Sequence, residues 1–73
     1  MEMNPPAAHI ILNGSSYAMP AALSVAELLA RLELAGRPVV VEVNEAAILP
    51  RDYPSIRLAD GDRVEIVTLA AGG

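Results

Sequence analysis

The sequence predicts an α+β domain in which one helix lies across a mixed sheet of four to five strands. Three observations predict it: Asn13-Gly14 between two short β-prone runs, a capped amphipathic segment from Ser24, and two further β-prone runs at 39–43 and 63–67. A single apolar helix stripe has to be covered, and here only a sheet face can cover it.

Residues 1–8 form an irregular leader, because Pro5 and Pro6 block both helix and ladder and no periodicity surrounds them. His9-Ile10-Ile11-Leu12 is a first strand. Asn13-Gly14 supplies the positive φ angles of a two-residue hairpin turn, and Ser15 to Met19 pairs back until Pro20 withholds a donor. Ser24-Val25-Ala26-Glu27 is a capping box, and Val25, Leu28, Leu29 and Leu32 then recur on one face. Gly36 and Pro38 set the stop, so the helix is expected over about three turns, from Ser24 to roughly Leu34. Val39-Val40-Val41-Glu42-Val43 reads as a central strand covered on much of both faces. Asn44 and Glu45 break it. Pro50 and Pro54 then make 46–56 a loop, with a short strand at Ala47 to Leu49 and one helical turn near Arg51 to Pro54. Asp60-Gly61-Asp62 is a turn, and Arg63-Val64-Glu65-Ile66-Val67 alternates, with Val64 and Ile66 inward. The expected division is a leader (1–8), one domain (9–68) and a flexible tail (69–73).

Composition narrows the function. Seventy-three residues make one small module, and five Lys+Arg against nine Asp+Glu give a net charge of −4 with no basic cluster for phosphates, so nucleic acid is not an expected partner. The absence of cysteine removes disulfides, thiolate metal sites and thiol nucleophiles, and points to the cytoplasm. No apolar run reaches the roughly 18 residues of a membrane span, and no membrane partner is expected. One histidine and no lysine leave few groups able to transfer protons or attack substrates. His9 receives no role, Asp60 and Asp62 read as turn residues rather than a metal pair, and no catalytic residue or metal ligand is assigned.

What remains is Leu69-Ala70-Ala71-Gly72-Gly73. Two residues without a Cβ can enter a channel too narrow for other side chains and present a carboxylate to another protein's catalytic centre. That carboxylate is an anion at neutral pH and a poor electrophile until it is activated. Acyl-adenylate formation with ATP gives the carbonyl a good leaving group, which a sulfur, oxygen or nitrogen nucleophile then displaces. Gly73 is the expected reactive residue, Gly72 the slim approach, and Leu69, Ala70 and Ala71 present the tail. Val67 and Glu65, on the outward side of the last strand, are expected to dock on a partner.

Several motifs resemble the ubiquitin-like sulfur carriers of the ThiS/MoaD family, most closely its thiamine-pathway branch. They are Asn13-Gly14, Ser24-Val25-Ala26-Glu27-Leu28-Leu29, Val43-Asn44-Glu45, Ile48-Leu49-Pro50-Arg51, and Leu58 to Val67 leading to Gly72-Gly73, in the family's order and across residues 9–73. The resemblance implies a β-grasp fold and a carrier without catalytic residues or resident cofactor, and a small acidic domain that alternates between partners is expected to be a monomer when free. It implies that a ThiF-like adenylyltransferase activates Gly73 with ATP and that a sulfur donor such as a cysteine desulfurase system converts it to a thiocarboxylate. Thiazole synthase, a ThiG-like protein, would then receive the sulfur for the thiazole ring of thiamine. Two other readings stay open: a MoaD-like small subunit of molybdopterin synthase, and a β-grasp interaction module or protein modifier that is never charged with sulfur. The sequence departs from the thiamine branch in its longer leader, in Tyr53 where many members place tryptophan, and in the alanines before the diglycine.

Overall fold

The computed structural model describes residues 8–69. Among these, five strands form one sheet: β1 (Ala8–Leu12), β2 (Ser15–Met19), β3 (Val39–Val43), β4 (Ala46–Ile48) and β5 (Arg63–Thr68). Their order is β2-β1-β5-β3-β4. β5 runs parallel to β1 and antiparallel to β3, and the two hairpins add β2 and β4 at the edges. The helix α1 (Val25–Arg31) packs on one face of this sheet. Two hairpins separated by a helix and joined by a last, central strand make the β-grasp arrangement.

Strand alternation decides which side chains meet the helix. Ala8 and Ile10 of β1 and Val64 and Ile66 of β5 are buried, while His9, Ile11, Arg63, Glu65 and Val67 point away. The inward set joins Met19, Val41, Leu58 and the helix residues Val25, Leu28 and Leu29 in one core. Burying a side chain of this size contributes about 1.5–3 kcal/mol, so these ten residues dominate the stability of a domain with no disulfide.

The helix start follows the local signal. Ser24 Oγ accepts from the Glu27 N–H at 3.1 Å and the Ser24 N–H donates to Glu27 Oε1 at 2.8 Å. The other two free donors of the first turn go to the chain after β4, Val25 N–H to the Ile56 carbonyl and Ala26 N–H to the Tyr53 carbonyl. This seats the 53–58 segment against the helix.

The helix stop differs from expectation: the element ends at Arg31, not near Leu34, and Gly36 plays no part in it. Glu33 adopts φ +62, its N–H donates to Ala30 O, and the Leu34 N–H donates to Leu29 O at 2.8 Å. These are the two bonds of a Schellman motif, built with glutamate in the left-handed position. Gly36, at φ +76, serves a separate turn closed by the Arg37 N–H on Leu34 O.

Three other expectations shift. Ala8 belongs to β1, opposite Met19 and buried, rather than to the leader; a small side chain there completes the core row of Ile10. β3 is an inner strand, between β5 and β4, but it is not covered on both faces: Val40 is 42% exposed because a lone helix cannot cover both, and the middle strand is β5. The short strand is Ala46–Ile48 rather than Ala47 to Leu49, since Asn44 (φ +51) and Glu45 (φ +71) form a tight hairpin turn. A 3-10 turn at Pro50–Asp52 follows.

Candidate functional site

The start of β5 is fastened by polar side chains. Asp62 Oδ2 accepts from the Ala59 N–H at 2.8 Å and Oδ1 from Asn44 Nδ2 at 3.1 Å. Asp60 Oδ1 accepts from the His9 N–H, and the Gly61 N–H donates to His9 O, both at 2.8 Å. The aspartate pair is thus engaged in turn and strand contacts, in line with the turn reading.

Two asparagines from the hairpin turns complete the fastening. Asn44 Oδ1 accepts from the Arg63 N–H at 3.0 Å. Asn13, at φ +49, places its side chain where β1 would continue: Oδ1 accepts from the Ile66 N–H at 2.8 Å and Nδ2 donates to Ile66 O at 3.1 Å. A side-chain amide has the donor and acceptor of a peptide group, so Asn13 extends the ladder after the backbone has turned away. Neither role was visible in the sequence, which marked Asn13 only as a turn former and Asn44 only as a break.

The end of β5 is open by comparison. Val64 and Ile66 are 1% and 7% exposed, whereas Val67 and Leu69 are 54% and 50% exposed. Register places Val67 opposite Val40 and Glu65 opposite Glu42 on the face that α1 leaves uncovered. An apolar pair therefore adjoins two like charges set directly across strands, an arrangement that costs stability in isolation. The sequence singled out Val67, Glu65 and Leu69; it missed Val40 and Glu42, whose alternation with the buried Val41 was the available signal. The last ladder contact is Leu69 N–H to Pro38 O at 2.8 Å. Ala70, Ala71, Gly72 and Gly73 lie outside the described residues.

Elsewhere, titration is perturbed at Glu27, whose carboxyl is held below its ordinary value chiefly by the Ser24 backbone N–H, opposed by desolvation and aided to a lesser degree by Arg57 at 3.7 Å. It belongs to the helix cap, far in sequence from the tail. No helix among the described residues is long and apolar enough to cross a membrane.

Comparison with known proteins adds to this geometry. The model of the ThiS family matches residues 10–73. The chain is 33% identical over 64 residues to a thiazole synthase of Paramagnetospirillum magneticum, covering 88% of this chain and 20% of that one. It therefore spans about a fifth of that relative's length. It is also 31% identical over 64 residues to the uncharacterized protein ycf40 of Porphyra purpurea, covering 88% and 90% of the two chains. A crystal structure of the thiamine biosynthesis protein (ThiS) from Geobacter metallireducens aligns with TM-score 0.76 at 29% identity, over 89% of this chain and 99% of that chain. A solution structure of a thiamine biosynthesis protein from the same organism gives 0.74 at 29% identity, over 89% and 87%.

Proposed function

The chain belongs to the ThiS family, and from that premise we propose that it is a sulfur carrier of thiamine biosynthesis, a co-substrate rather than a catalyst. The Gly73 carboxylate attacks the α-phosphorus of ATP on a ThiF-like adenylyltransferase, expelling pyrophosphate and forming an acyl-adenylate. A sulfur nucleophile then adds to the carbonyl and expels AMP. Where the donor is a persulfide, as from a cysteine desulfurase system, the product is an acyl disulfide. A second thiol cleaves it, leaving as a disulfide and releasing the thiocarboxylate. On thiazole synthase the sulfur replaces the oxygen of a substrate carbonyl, and the acyl carbon takes up that displaced oxygen, or one from water, which regenerates the carboxylate. ATP belongs to the activating enzyme, and the carrier brings no cofactor of its own.

The observation that carries this reading is the family match through residue 73, which takes in the Gly72-Gly73 sequence. Thiazole synthase as recipient is supported by the relative of that name, a fifth of which resembles this chain. On the open face, Val40, Val67 and Leu69 with Glu42 and Glu65 dock on the activating enzyme, the apolar group removing area from water and the paired carboxylates meeting basic side chains.

The test is intact mass and terminal fragmentation of the chain after incubation with ATP, a ThiF-like enzyme and a sulfur donor. Exchange of one oxygen for sulfur at Gly73 is expected. An unaltered Gly73, or isopeptide links from Gly73 to lysines of other proteins, would replace this reading with that of an interaction module or protein modifier.

A further inference from the structure

We propose that Pro38 is a positioning residue for the reactive segment: lacking an N–H, it ends the β3–β5 ladder at Leu69 and leaves the Leu69 carbonyl for the activating enzyme to take up. The inference rests on the carrier reading above and concerns how that carrier hands its tail over.

The argument is one of register. Ile66 gives both its N–H and its carbonyl to the Asn13 side chain, so Val41↔Ile66 is a pair without mutual hydrogen bonds. In an antiparallel ladder such pairs alternate with hydrogen-bonded ones, which makes Glu42↔Glu65 and Val40↔Val67 the bonded pairs. The next bonded pair is residue 38 with residue 69. Half of it exists, Leu69 N–H to Pro38 O at 2.8 Å. The returning bond would run from the residue 38 N–H to Leu69 O, and proline has no such donor. β3 offers nothing further on, because Gly36 is at φ +76 in the turn that precedes Pro38. Any other residue at 38 would complete the pair and oblige the enzyme to break a ladder bond before drawing the segment away from the sheet.

The test compares the parent chain with Pro38→Val, Pro38→Ala, and a synthetic chain carrying the ester isostere α-hydroxyisovaleric acid at position 38, which resembles valine without the N–H. Circular dichroism establishes that each is folded. Steady-state ATP–pyrophosphate exchange with a ThiF-like enzyme gives KM and kcat for the carrier, and hydrogen exchange reports the residue 38 amide. Pro38→Val and Pro38→Ala should show a protected amide at 38 and a KM raised about fivefold, the equivalent of one net main-chain hydrogen bond, at unchanged kcat. The ester chain should return to the parent KM. An unprotected amide, an unchanged KM, or an ester chain that behaves like Pro38→Val would overturn the proposal. A parent chain that supports no exchange at all would instead overturn the carrier reading.

Discussion

From its start through Ile66, β5 is held from both sides, by Ile11 of β1 and Asn13 of the turn after it and by Asn44 after β3, with Asp60 and Asp62 tying the preceding turn to His9, Ala59 and Asn44. At its end it has β3 as its ladder partner and a half-made pair with Pro38. Among the described residues, β5 and the turn before it thus take most of the long-range side-chain hydrogen bonds, while exposed Val67 and Leu69 follow. The contrast separates two demands on a carrier. The strand's position must be defined to keep a small core closed, whereas, on the carrier reading proposed above, the exposed groups at its end are the ones partners would take up.

Removing the fastening should therefore have the largest energetic effect. Asn13→Ala leaves the Ile66 N–H and carbonyl without their partner and puts at positive φ a residue that tolerates it less well than asparagine, at a cost of about 2–3 kcal/mol. Urea unfolding should record that loss, and a change below about 0.5 kcal/mol would remove the distinction between the two ends. At the open end the signs reverse: Leu69→Asp should lower activation by the ThiF-like enzyme about tenfold while shifting stability by less than about 0.5 kcal/mol. Equal losses of stability and activation would show that Leu69 is structural. Away from β5, Glu33→Gly should stabilise by about 0.5–1 kcal/mol, since glycine accepts the left-handed angle that glutamate now holds.

The smallest expected effect is a pH dependence at the helix cap. The Glu27 carboxyl titrates below its ordinary value of 4.5 when folded, so its contribution is fully present above that pH and is lost as pH falls through the lower, folded value. Glu27→Gln should lower stability near neutrality by that contribution and flatten its dependence on pH in the acid window; an unaltered acid limb would show that other carboxylates govern it.

What could be read from the sequence was what neighbours decide. The Asn13-Gly14 hairpin, the Ser24/Glu27 box and the inward Val64 and Ile66 each depend on residues a few positions apart, and each stands where expected. The helix stop did not follow, because a glycine three residues later was the better local candidate, whereas the Schellman motif is built with Glu33 in the left-handed region, a position for which glutamate gives no signal. The valine run of β3 suggested burial on both faces, yet a single helix has one face to offer. At the site, exposure of Val67 and Leu69 followed from alternation. Pairing with Val40 and Glu42, and the reach of Asn13 and Asn44 to β5, required the register of strands distant in sequence.

The Asn13 clamp has a chemical lifetime. A side-chain amide followed by glycine is open to attack by the next backbone nitrogen, and the resulting succinimide hydrolyses to aspartate or isoaspartate. At position 13 that converts the Nδ2 donor facing Ile66 O into a carboxylate oxygen, so two acceptors confront each other where a bond had been. Ageing of this carrier should then show as added negative charge with lost amide protection at Ile66, and the oldest molecules in a population should be the first to unfold.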